Sequence, residues 1–158
     1  MNELSQSAQK IQQALQAMNL PCMVVELPNS TRTAVEAAQA VGCQVGQIVK
    51  SLIFMGAESR RPILVVASGI NRVDETHLAL LAGEAIKKAD AEFARAQTGF
   101  AIGGIPPVGL ANQMSTFIDQ DLLAYQSVWA AAGTPHAVFE LDPAFLERMT
   151  GGTVTNIK

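Results

Sequence analysis

Two apolar, partly β-branched runs set the frame of this chain: Val49 to Met55 and Ile63 to Ala67, separated by Gly56-Ala57-Glu58-Ser59-Arg60-Arg61-Pro62. Runs this short, bounded by glycine and proline, favour strands over helices. They read as neighbouring strands of one sheet, and a hairpin is one way of joining them. One residue breaks the pattern. Lys50 is the single charged side chain between Glu36 and Glu58, at the entrance of the first run. Sequestering an unpaired ammonium costs several kcal/mol even after relaxation, so Lys50 must either reach water along its alkyl stem or hold a negative group.

The remaining chain alternates strands and helices. Leu4, Ala8, Ile11, Leu15 and Met18 recur at helical spacing and predict an amphipathic first helix ending near Asn19 to Pro21. Met23 to Leu27 reads as a strand closed by Pro28. Thr33-Ala34-Val35-Glu36 has the capping-box pattern and opens an alanine-rich helix that Gly42 stops. Asp74 caps a helix through Leu78 and Leu81, and Asp90 caps another ending before Gly99. Ser115 to Ile118, Ser127 to Ala131, Ala137 to Leu141 and Thr153 to Ile157 read as strands, with a short helix between the first two. Asp142-Pro143 opens a last helix by placing proline at its first position. With no repeat or linker, residues 1–158 form one α/β domain with a central mixed sheet flanked by helices.

Composition narrows the function. Hydrophobic residues make up 49% and charged residues 16%, which describes a large core. A net charge of −3 argues against strong, sequence-independent nucleic-acid binding, so a polyanionic partner must meet a local basic patch. Arg32, Arg60, Arg61, Arg72, Lys87 and Lys88 are the candidates for such a rim. Cys22 and Cys43 lie far apart and, with only His77 and His136, suggest no metal set, so they read as small hydrophobes of a reducing compartment. Met1-Asn2-Glu3-Leu4 lacks the basic start of a secretory signal. No apolar run reaches the roughly 18 residues of a spanning helix. A cytoplasmic protein without membrane contact is expected.

The segment from Gly99 to Gly109 concentrates glycine and proline beyond what a regular element tolerates. Gly104 and Gly109 have the spacing of a phosphate-binding loop, but Leu110 and Ala111 stand where lysine and a hydroxyl are needed. Two readings remain: a structural turn, or a rigid wall whose glycines bring backbone N–H groups close to a ligand. Ser68-Gly69 fails the nucleophile-elbow pattern because Val66 occupies the first glycine position. His77 and His136 have no placed partner.

Taken in order, Ser30-Thr31-Arg32-Thr33-Ala34, Gln47-Ile48-Val49-Lys50-Ser51-Leu52, Ser68-Gly69, and Thr98-Gly99-Phe100 through Gly103-Gly104-Ile105-Pro106-Pro107-Val108-Gly109 resemble the YbaK/EbsC family. These are single-domain aminoacyl-tRNA deacylases related to the editing domain inserted in bacterial prolyl-tRNA synthetase, and the likeness spans nearly the whole chain. The resemblance implies a partly barrel-like sheet and hydrolysis of the ester joining a wrong amino acid to the 3′-terminal adenosine of tRNA, most often tRNA for proline. It implies neither a metal nor a cofactor. The family's invariant lysine falls on Lys50 and its G-x-x-x-P loop on Gly103 to Pro107, giving Lys50, Gly103 and Gly104 as catalytic candidates. Ser30, Thr31, Arg32, Thr33, Ser51, Ile53, Ser68, Gly69, Ile105, Pro106 and Pro107 are the candidates for binding substrate.

On this reading, backbone donors near Gly103 to Ile105 polarise the ester carbonyl, and Lys50 holds the terminal phosphate or developing negative charge. Positioning is favoured over proton transfer, because no sequence neighbour of Lys50 lowers its pKa. Candidate substrates are tRNA for proline carrying alanine, serine, cysteine or 2-aminobutyrate. The Trp129 to Gly133 and Val138 to Pro143 stretches differ from the family's cysteine-specific branch. The expected partner is the aminoacyl-tRNA acceptor end, with prolyl-tRNA synthetase or an elongation factor choosing the tRNA. A non-catalytic module that binds an aminoacyl or nucleotide end is the alternative, and a purely structural Lys50 is a third.

Overall fold

Both expected apolar runs are strands, and they form the centre of the sheet. The computed structural model describes residues 4–158; Met1 to Glu3, which enter the reading of the N-terminus, lie outside the described residues. Strand β2 (Ile48–Gly56) and β3 (Pro62–Ser68) pair antiparallel from Val49↔Ser68 to Met55↔Pro62. From Ile63 to Ser68 every β3 residue is buried, so both faces of this strand are covered. Leu64 and Val66 enter one core and Ile63, Val65 and Ala67 another, as the period of two requires.

Around this pair the sheet runs β1 (Val24–Glu26), β7 (Ala137–Leu141), β6 (Val128–Ala131), β2, β3, β5 (Ser115–Asp119), β8 (Thr153–Thr155). A further strand, β4 (Ile86–Lys88), pairs with the end of β2. The β2–β6, β3–β5 and β5–β8 pairs are parallel and the others antiparallel, so the sheet is mixed as expected. Helix α1 (Gln6–Ala17) buries Ala8, Ile11 and Leu15, and its Gln12 amide bonds Cys22 and Val24, tying the helix to the β1 edge. Helices α2 (Ala34–Val41), α3 (Glu75–Ala82) and α4 (Ala91–Thr98) each start at the predicted cap: Thr33, Asp74 and Asp90 accept the amides of Glu36, His77 and Phe93. The α2 capping box is altered, since Glu36 Oε1 accepts from the Thr33 hydroxyl at 3.0 Å.

Three expectations change. The last helix, α5 (Phe145–Thr150), begins two residues after Pro143, because Asp142-Pro143-Ala144 is used in tight turns from Asp142 O and Pro143 O. The terminal strand ends at Thr155, and Ile157 folds into the core beneath α3. Strand β4 was not expected: three residues ending in two lysines carry no period-two signal.

The turn between β2 and β3 depends on Glu84. Its carboxylate accepts from the Ser59 amide (3.0 Å), the Ser59 hydroxyl (2.7 Å), the Glu58 amide (3.3 Å) and Arg61 (3.1 Å). These bonds, that from the Ser59 amide foremost, lower its pKa from 4.5 to about 2. A depressed carboxylate stabilises the fold above its unfolded pKa and loses that contribution as pH falls through the folded one. Glu84→Gln is therefore expected to lower the urea midpoint at pH 7, and the gap to wild type should close between pH 4.5 and about 2. A gap that persists unchanged at the acid end contradicts this.

Candidate functional site

Strand β3 lines one edge of β2 throughout, so β6 and β4 must share the other edge. They meet it at Ile48–Val49 and at Phe54–Gly56 respectively. Between them the sheet forks at Lys50, Ser51, Leu52 and Ile53. A cleft of about 350 Å³ opens in this fork, lined by Thr31, Arg32, Thr33, Lys50, Ser51, Gly103 and Ile105 and floored by Ala34, Ala37, Ala130, Ala131 and Val138. Lys50 sits opposite Ala67 and Ser51 opposite Val66, so the two side chains leave β2 on opposite faces. Both line the cleft because it passes through the gap.

Lys50 is half-buried, and its Nζ donates to the backbone carbonyl of Asn71 at 2.8 Å. A carbonyl supplies a dipole, not a compensating charge. Burial lowers the pKa of Lys50, Asp119 opposes that effect, and Lys88 and Arg72 add to it. The sequence neighbours offer no such cause; the fold does. Two other polar atoms at the cleft are buried without a hydrogen-bond partner among the described residues, Thr31 Oγ1 and Ser51 Oγ. Leaving a buried hydroxyl unpaired costs about 1–3 kcal/mol, which marks both as positions where a ligand's polar group fits.

The far wall is the glycine-rich loop. Gly103 has φ +96, and a Cβ there would stand 2.6 Å from Arg32 Cγ, so only glycine lets the loop lie against the Arg32 stem. The amides of Gly103 and Ile105 make no hydrogen bond among the described residues. Gly104 differs: its N–H donates to Ala101 O (3.0 Å), its carbonyl accepts from Gly133 (2.9 Å), and a Cβ there would meet the Thr134 backbone. It braces the loop and has no N–H left for a ligand. The opposite wall is held by Thr31, whose amide donates to Pro135 O, while the His136 ring meets Asn29 O at 3.0 Å. Ser30 accepts from the Arg32 amide at 3.3 Å and shapes this turn from outside the cleft.

Other expected site residues lie apart from the cleft. Ile53 lines an adjoining hollow with Ser51, Ile105 and Lys88. Pro106 is buried, and Pro107 faces a separate hollow beside Met18 and Arg148. Ser68 is fully buried, donating from Oγ to Gly46 O (2.7 Å), and Gly69 is pressed on the Val45 carbonyl; neither reaches the cleft. Of the proposed basic rim, Arg32 lines the cleft with Lys50, and the charges of Arg72 and Lys88 act on it. Arg60 and Arg61 belong to the hairpin turn, about 20 Å away at roughly 3.3 Å per strand residue, with Arg61 bound to Glu84. Asn71 and Asp119 were missed. A carboxylate ending an apolar strand was a visible signal; its partner across 48 residues was not.

Comparison with known proteins places the chain in a family. The model of the aminoacyl-tRNA editing domain matches residues 28–149. An uncharacterized protein of Bacillus subtilis, YwhH, is 32% identical over 127 residues, 80% of each chain. EbsC of Enterococcus faecalis, described as a candidate Cys-tRNA(Pro)/Cys-tRNA(Cys) deacylase, is 26% identical over 79% of this chain and 76% of its own. The crystal structure of a candidate trans-editing enzyme for prolyl tRNA synthetase superposes with a TM-score of 0.92 at 48% identity, covering 99% of both chains. This chain belongs to the aminoacyl-tRNA editing domain family. Among the described residues, no helix is long and apolar enough to cross a membrane, and no three His, Cys, Asp or Glu side chains are grouped to hold a metal ion.

Replacing Gly103 tests the wall. Because its φ is +96 and a Cβ would collide with Arg32, Gly103→Ala is expected to cost about 1–3 kcal/mol in denaturant unfolding. An unchanged midpoint would mean that the loop adjusts freely.

Proposed function

We propose that this chain removes small wrong amino acids from mischarged tRNA, above all tRNA for proline, by hydrolysing the aminoacyl ester. The observation that carries the reading is the fork cleft, where one half-buried cation, two unpartnered hydroxyls and two unengaged amides surround an apolar floor. An aminoacyl ester is already activated, so fixing its carbonyl and admitting water supplies much of what the reaction needs. The amides of Gly103 and Ile105 polarise the carbonyl as negative charge develops on its oxygen. Lys50 anchors the terminal phosphate or that oxygen. Water adds to the carbonyl carbon, the bond to the ribose oxygen breaks, and that oxygen takes a proton with the neighbouring ribose hydroxyl assisting.

Selectivity follows from size. The alanines and Val138 of the floor suit alanine, serine, cysteine or 2-aminobutyrate and oppose the bulkier, constrained ring of proline. One methylene in such a pocket is worth about 1–3 kcal/mol, so a few wall residues determine the substrate. With a net charge of −3 and the cations gathered at the cleft, contact is confined to the acceptor end. Prolyl-tRNA synthetase or an elongation factor then selects the tRNA.

The test is release of labelled alanine, serine, cysteine and 2-aminobutyrate from mischarged tRNA for proline and from an acceptor-stem minihelix. Wild type should release at least one of them from both RNAs, and Lys50→Ala should lose about a hundred- to a thousandfold in rate, the typical size of one electrostatic contact to the transition state. If wild type binds these RNAs but releases nothing, the chain is a binding module. Equal rates for both proteins would remove Lys50 from the mechanism, and strict dependence on the anticodon arm would contradict acceptor-end recognition.

A further inference from the structure

The reading above uses Lys50 but leaves unexplained the polar network behind it. We propose that Asp119 is a positioning residue for Lys50: its carboxylate clamps both ends of the turn Ser68-Gly69-Ile70-Asn71, and that turn presents the carbonyl which holds the ammonium. Asp119 is only 1% exposed. Its Oδ1 accepts from the Asp121 amide at 2.9 Å, capping the short 3-10 helix of residues 120–124. Capping does not account for Oδ2, which accepts from the Ser68 amide at 2.9 Å and from Asn71 Nδ2 at 2.8 Å. Those two donors stand at the first and last residues of the turn, itself closed by Asn71 N–H on Ser68 O at 3.0 Å.

The turn is also fixed from below. Ser68 Oγ donates to Gly46 O and the Gly69 amide to Ile48 O at 2.8 Å, and a Cβ on Gly69 would stand 2.4 Å from Val45 O. Held on these sides, the Asn71 carbonyl has one position relative to Lys50. Ser68 and Gly69 therefore serve the site through Lys50, not by touching a ligand. The charge acts in the same sense as the geometry. The charged groups that bear on Lys50 are Asp119, Lys88 and Arg72, with Arg32 beside it on the cleft wall. Asp121, which also accepts from Asn71 Nδ2, is paired with Lys158 at 3.0 Å. Of these, Asp119 is the carboxylate that favours the protonated form of Lys50, against burial and two like charges.

The inference rests on Lys50 acting as the substrate anchor, and its test separates the two. Acetylation of Lys50 by acetic anhydride, followed against pH by mass spectrometry of the Lys50 peptide, needs no RNA. Removing the Asp119 charge lowers the Lys50 pKa further, so Asp119→Asn should move the labelling midpoint to lower pH. In parallel, kcat/KM for deacylation should fall by up to about a hundredfold, the scale of a misplaced anchor, with its alkaline limb moved the same way. A folded Asp119→Asn protein with an unchanged midpoint overturns the proposal, and intact deacylation in that protein leaves the editing reading standing. A shifted midpoint in a chain that releases no amino acid upholds the positioning role and sinks the editing reading instead. Should Asp119→Asn fail to fold, Asn71→Ala decides: it keeps the carboxylate and the carbonyl but cuts the strap between them. Loss of activity with altered Lys50 labelling upholds the proposal, and wild-type values of both overturn it.

Discussion

One edge of β2 carries a continuous ladder to β3, while the other is shared by β6 and β4 with an interval between them. That interval is what the site depends on. A strand paired along both edges has no room for a ligand between its neighbours, and side chains on its opposite faces never meet the same cavity. Here the fork lets Lys50 and Ser51, which point to opposite faces, line one cleft. The continuous ladder to β3, buried on both faces, keeps the open edge rigid. A site built on strands keeps its geometry better than one built on loops.

Charge is distributed to match. The chain carries a net charge of −3, yet Lys50 and Arg32 line the fork cleft and the charges of Arg72 and Lys88 bear on Lys50. Burial and the like charges of Lys88 and Arg72 disfavour the ammonium form in this position, and Asp119 opposes them. That carboxylate makes no salt bridge to Lys50: Asp119 binds the Asn71 side chain, and the Asn71 carbonyl makes the direct bond. With the carboxylate one residue removed, no salt bridge neutralises the ammonium, and Lys50 itself lines the cleft. The unpartnered Thr31 and Ser51 hydroxyls follow the same logic.

Much of the fold was legible because its signals are local. The caps at Thr33, Asp74 and Asp90 need only a side chain and an amide three residues on, and the β2 and β3 runs declare themselves by apolar content. What escaped was short or non-local. Strand β4 exists because the end of β2 offers a free edge, not because Ile86-Lys87-Lys88 favours extension. Within the site, Lys50, Thr31, Arg32, Thr33, Ser51, Gly103 and Ile105 were picked out by motif and do surround one cleft. Gly104, Ser68, Gly69, Pro106 and Pro107 belong to the same motifs but brace the walls or face elsewhere, a distinction adjacency in sequence cannot make.

The sequence alone determined that the chain would form a mixed sheet flanked by capped helices, that an isolated lysine would enter an apolar strand, and that the glycine-proline segment would be a shaped loop. Each follows from propensity, periodicity or charge within a few residues. Only the tertiary structure decided that the sheet forks at that lysine, and that Asn71 and Asp119 stand behind it. It also left the amides of Gly103 and Ile105 unengaged while committing that of Gly104. These are pairings across tens of residues, set by which edges and faces remain after the core has packed.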